Sequence, residues 1–137
     1  MNTIMEKEAR EAPSRIAAQL NNNREIAEKL GAILRQNPPK YVYIIGRGSS
    51  DHAGVFAKYL IEIEAGISVS HAAPSVASVY NKQLDLSDSL VLSISQSGRS
   101  PDILAQLDMA KKAGALTVAL VNDETSPLAT GSDYLLP

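Results

Sequence analysis

The chain reads as an α/β domain built on a five-stranded parallel sheet, with helices on both faces and a helix preceding the first strand. Three observations lead there. Short β-branched runs alternate with stretches of helical spacing along the whole chain, the pattern of right-handed β-α-β units. The first of those runs, Tyr41-Val42-Tyr43-Ile44-Ile45, has no polar alternation, as expected of a strand covered on both sides. At 137 residues, with 45% apolar and 20% charged residues, the chain has the size and balance of one soluble globular domain.

Within residues 14–35, Ile16, Leu20, Ala27, Leu30 and Leu34 fall at three-to-four spacing and predict one helix, ended by Asn37-Pro38-Pro39. The first strand over 41–45 is followed by a glycine loop and a helix over 50–65, on which Val55, Phe56, Tyr59, Leu60 and Ile63 repeat the helical period. Residues 68–72 predict the second strand and 75–80 a short helix entered through Pro74. Residues 90–94 predict the third strand, followed by the loop 95–101 and a helix carrying Ile103, Leu104, Leu107 and Ala110 that stops at Gly114. The fourth strand spans 116–121, a turn of helix 126–129, and the fifth strand 133–136. The chain then ends at Pro137 with no helix after the fifth strand to cover that edge, so it reads as a fragment of a longer protein.

Several function classes are excluded or disfavoured. The absence of cysteine removes disulfides, thiolate nucleophiles and cysteine-based metal sites, and no apolar run approaches the roughly 20 residues that span a bilayer. The amino terminus lacks the apolar stretch of a signal peptide, which points to the cytoplasm. A net charge of −2 with thinly spread Lys and Arg argues against nucleic acid as a partner. Neither a metal nor a cofactor is called for.

For the flavodoxin-like strand order 2-1-3-4-5, ligands gather beyond the carboxyl ends of strands 1 and 3, where the order reverses. Two unusual loops leave those strands: Gly46-Arg47-Gly48-Ser49-Ser50 and Ser95-Gln96-Ser97-Gly98-Arg99-Ser100. Each opens a helix whose free N–H groups and partial positive charge favour an anion. Ordinary capping by Ser50 or Ser100, with the glycines serving only backbone geometry, accounts for either loop alone. It does not account for five serines and a glutamine at two adjacent loops. A dinucleotide loop is disfavoured because Asp51 stands where the third glycine belongs and no acid ends strand 2, and no nucleotide-triphosphate loop is present.

The stretches Gly48-Ser49-Ser50-Asp51-His52-Ala53-Gly54 and Ser95-Gln96-Ser97-Gly98 resemble the paired loops of sugar isomerase (SIS) domains. The similarity is greatest to the isomerase half of glutamine:fructose-6-phosphate amidotransferases and to SIS-type glucosamine-6-phosphate deaminases. Met5-Glu6-Lys7-Glu8-Ala9-Arg10-Glu11-Ala12-Pro13 also resembles the segment that begins those domains. The resemblance implies a helical segment at 1–38 and a SIS domain at 39–137, the first of two such halves. It places sugar-phosphate contacts on Ser49, Ser50, Ser95, Gln96, Ser97 and Ser100, with Gly48 and Gly98 shaping the loops. Ser100 replaces the threonine usual in the amidotransferases, and Arg99 their glutamate.

Proton transfer in the relatives uses a carboxylate, a ring-opening histidine and a lysine from a second half and a carboxyl-terminal tail. Nothing here matches them, so catalytic residues are expected beyond Pro137 and this chain alone is expected to be inactive. A cysteine-free chain beginning at Met1, and the loop Gly98-Arg99-Ser100-Pro101-Asp102, favour deamination or isomerisation over glutamine-dependent synthesis. Two alternatives use the same loops without catalysis, a sugar-phosphate-sensing module and a dimerisation module. Homodimerisation is expected through the stripe Ile16, Leu20, Leu30 and Leu34 and the sheet face after strand 5. His52 reads as structural, Asp51 and Asp102 as helix-start residues, Arg99 as a solvated loop arginine, and 122–124 as a turn; His71 has no assigned role.

Overall fold

The computed structural model describes residues 3–137. Five parallel strands, β1 (Tyr41–Ile45), β2 (Ser68–His71), β3 (Ser89–Ser95), β4 (Leu116–Val121) and β5 (Tyr134–Leu136), lie in the order β2-β1-β3-β4-β5. The predicted order is thus the observed one, and each strand lies within a residue or two of its predicted span. Six helices flank the sheet: α1 (Ile4–Asn22), α2 (Arg24–Gln36), α3 (Ser49–Ala65), α4 (Ser75–Ser78), α5 (Pro101–Lys112) and α6 (Pro127–Gly131).

Side chains alternate between the two faces of each strand, and a separate apolar layer forms on each. On one face Tyr43, Ile45, Val91, Ala119 and Val121 pack with Ile103, Leu107 and Leu128 from α5 and α6. On the other, Val42, Ile44, Leu90 and Val118 pack with Leu30 of α2, with Ala57 and Ile61 of α3 against them. Burial on both faces explains why β1 carries no polar alternation.

Two expectations are corrected. The single helix predicted over 14–35 is two helices, because the run Asn21-Asn22-Asn23 competes for backbone bonds and breaks the helix. Asn23 closes α1, opens α2, and donates from its side-chain amide to the Pro137 carbonyl at 2.9 Å. The edge after β5 is also not bare, since α2 packs against β5 and Leu34 lies in the cluster with Tyr134 and Leu136. Leu30 and Leu34 therefore serve this chain's own core, whereas Ile16 and Leu20 on α1 remain exposed at 57% and 67%.

Candidate functional site

Because β1 and β3 are neighbours in register, with Ile45 opposite Ser93, the loops that leave them emerge side by side. The first loop turns tightly into α3: Ser50 N–H bonds to the Arg47 carbonyl at 3.1 Å, and Asp51 N–H to that of Gly48 at 3.1 Å. Gly48 occupies the N-cap, so no side chain caps α3. Ser100 is the N-cap of α5, yet its hydroxyl makes no capping bond. Capping, which would explain either serine as structural, is not how Ser50 or Ser100 is used.

The second loop is held from behind. Ser95 Oγ accepts from Gly98 N–H at 3.1 Å, the Gly98 carbonyl accepts from Leu128 N–H at 3.2 Å, and Gly98 sits at φ +63° against Ser126 and Val121. Arg99 reaches Asp123 Oδ2 at 2.8 Å and Thr125 Oγ1 at 3.5 Å, which ties this loop to the turn after β4. Hydrogen bonding from the Thr125 side chain, and then from Arg99, holds the Asp123 carboxyl below the ordinary aspartate range. Arg99 is thus a clamp between loops rather than a free solvated arginine.

Between the two loops lies a polar pocket of about 180 Å³. That is below the roughly 300 Å³ at which pockets begin to enclose a drug-sized molecule, and it suits one compact polar group. Ser50, Ser95, Gln96, Ser97 and Ser100 all line it, with Arg47, Ile94 and Ile103 completing the wall. Of the residues singled out from sequence, Gly48 and Ser49 stand exposed outside the lining, and Gly98 is buried behind it. Arg47 is the residue that sequence reasoning passed over. Its place inside the glycine-flanked loop was the available signal. Its guanidinium lies 3.0 Å from Asp102 in the first turn of α5, so an ion pair joins the first loop to that helix.

The histidines fall outside this pocket. His52 is exposed on α3, and His71, at the end of β2, pairs through Nδ1 with Asp51 Oδ1 at 2.9 Å. Asp51 and Asp102 both stand in first helical turns, as read from sequence, and each has acquired a cationic or imidazole partner. Among the described residues no cluster of His, Asp and Glu is suited to a metal ion, and no helix is long and apolar enough to cross a membrane.

The sequence profile of the SIS domain matches residues 37–136, the sheet together with both loops. The chain belongs to the SIS domain family. This SIS domain is 36% identical over 140 residues to a glutamine--fructose-6-phosphate aminotransferase [isomerizing] of Pseudomonas aeruginosa, covering 97% of this chain and 23% of the relative. It is 39% identical over 95 residues to the enzyme of the same name from Clostridium tetani, covering 69% of this chain and 16% of that one. It therefore spans about a fifth of the length of these curated relatives. Among solved structures, a protein of Silicibacter pomeroyi DSS-3 named as a candidate phosphosugar isomerase superposes with a TM-score of 0.88 at 41% identity, over 92% of this chain and 38% of the other. The Vibrio vulnificus NanR protein, solved with ManNAc-6P, shares the fold, with a TM-score of 0.68 at 22% identity over 99% of this chain and 51% of its own.

Proposed function

We propose that this SIS domain holds the phosphate of a phosphorylated amino sugar between the loops 46–50 and 95–100, as the phosphosugar-binding unit of a deaminase or aldose–ketose isomerase. One observation carries the reading. Hydroxyls from both loops line a single pocket at the starts of two helices, and Ser50 and Ser100 are not used as helix caps. The surrounding hydroxyls supply directed donors to a tetrahedral anion, and the partial positive charge at the two helix starts adds to its attraction. The names of the relatives, isomerizing aminotransferases and a candidate phosphosugar isomerase, support the same substrate class.

Ser49 joins the contacts in this reading by a change of the exposed loop on binding. Within the segment 1–38, α1 and α2 act as a helical brace on the sheet of 39–137, with α2 in the core and α1 the surface through which two copies associate. The part played by 39–137 is to grip and orient the sugar phosphate, and proton transfer belongs to groups supplied from elsewhere.

Ser97→Ala tests the assignment. Loss of one charge-assisted hydrogen bond, about 1.5 to 3 kcal/mol, lowers affinity for glucosamine 6-phosphate by roughly 10- to 150-fold and leaves the melting temperature unchanged. Calorimetric titration and thermal melts of the same variant measure both. Unchanged affinity with a lowered melting temperature would make Ser97 a structural residue and overturn its place in the site.

A further inference from the structure

The pocket contains one side chain whose chemistry the serine loops do not explain. Arg47 is the charged member of the lining, and the only other loop arginine, Arg99, is committed to Asp123 on the far side. A phosphate monoester is largely dianionic at neutral pH, with its second pKa near about 6. Against it the pocket offers neutral hydroxyls, the Gln96 amide and two helix starts worth roughly half a charge each. Asp102, in the first turn of α5, is outside the pocket lining, and its carboxylate is turned to Arg47.

Arg47 and Asp102 pair with each other. A guanidinium nitrogen of Arg47 lies 3.2 Å and 3.0 Å from the two carboxylate oxygens, and the arginine side chain is 63% exposed against 22% for Asp102. The guanidinium is largely in solvent, which screens its attraction to the part-buried carboxylate. A guanidinium carries five donors in a planar fork, more than one carboxylate engages here, and the fork fits phosphate oxygens two at a time.

We propose that Arg47 is an anion-operated latch: parked on Asp102 when the pocket is empty, it transfers to the phosphate of the bound sugar, with Asp102 as the anion it must leave. The latch makes Arg47 a determinant of selectivity for phosphorylated over neutral sugars, and it makes Asp102 a brake on affinity. This rests on the phosphosugar reading above.

The experiment is a double-mutant cycle in the whole chain, read by calorimetric titration with glucosamine 6-phosphate and with unphosphorylated glucosamine. Arg47→Gln is expected to weaken binding of the phosphorylated sugar by about tenfold or more and to flatten its salt dependence. Asp102→Asn is expected to tighten it several-fold, and that gain should largely vanish in the Arg47→Gln background, since contacting residues couple. A gain from Asp102→Asn that persists in full without Arg47 would reduce Asp102 to a simple field effect and overturn the latch. Wild-type affinity in Arg47→Gln, with Ser97→Ala still impaired, would overturn the Arg47 assignment while leaving the phosphate site standing. Equal binding of both sugars by the wild type would overturn the phosphosugar reading itself.

Discussion

Gly98 shows how one residue without a side chain fixes several that have one. At φ +63° it lies in a region that L side chains rarely adopt, and a Cβ there would overlap Ser126 and come within 2.9 Å of Val121. Gly98→Ala therefore combines backbone strain with overpacking, which typically costs about 1 to 3 kcal/mol. Because Ser126 caps α6 and cannot yield freely, the loop carrying Ser97 and Ser100 should move instead. Gly114 is the natural control, since at φ +77° it has open space around it and an alanine there carries only a conformational cost of about 1 kcal/mol. Phosphosugar affinity should fall sharply in Gly98→Ala and hold in Gly114→Ala, measured alongside the two melting temperatures. Comparable affinities in the two variants would show that Gly98 does not shape the site. From sequence, glycine at 98 reads as a turn residue; its dependence on Ser126 is a contact between residues that no local pattern connects.

Among the elements, β2 is the edge strand next to β1 and offers outward backbone groups that invite pairing with another chain. Two side chains of α3 occupy them. Lys58 Nζ donates to the Val69 carbonyl at 2.6 Å, Val69 N–H donates to Glu62 Oε1 at 3.0 Å, and Lys58 and Glu62 pair at 2.9 Å. Hydrogen bonding from Lys58, then from Val69 N–H, lowers the Glu62 pKa from its ordinary 4.5. A depressed carboxylate pKa contributes stability that is complete above the unfolded value and lost as pH falls through the folded one. The melting temperature of Glu62→Gln should therefore lie below wild type near neutrality, and the gap should narrow as pH drops below about 4.5. A gap independent of pH would mean that the charge of Glu62 plays no part in closing the edge. The helical period locates α3 and its inward face, whereas this backbone contact depends on how α3 lies along β2.

At the scale of the molecule, α1 is the long helix without an interior. None of its 19 residues is buried, and Ile4, Met5, Ile16 and Leu20 are all more than half exposed. If two copies associate through α1, Ile16→Asp with Leu20→Asp should shift a dimer to monomer in sedimentation without loss of helical signal. A wild-type monomer at high concentration would dismiss that interface. The sequence by itself determined the five strands, their parallel connections and the placement of two serine loops after the first and third of them, because these follow from hydrophobic period, chain connectivity and handedness, which are properties of neighbours along the chain; the order 2-1-3-4-5 entered with the flavodoxin-like resemblance. Only the tertiary structure decided that the stripe on 14–35 divides at Asn23 into a buried α2 and an exposed α1. It alone decided that Arg99 clamps the turn after β4 while Arg47 faces the pocket and Asp102. Two arginines in similar glycine-rich loops are equivalent in pattern; they differ because charge pairing is settled by distances between segments far apart in sequence, and those distances exist only once the sheet has formed.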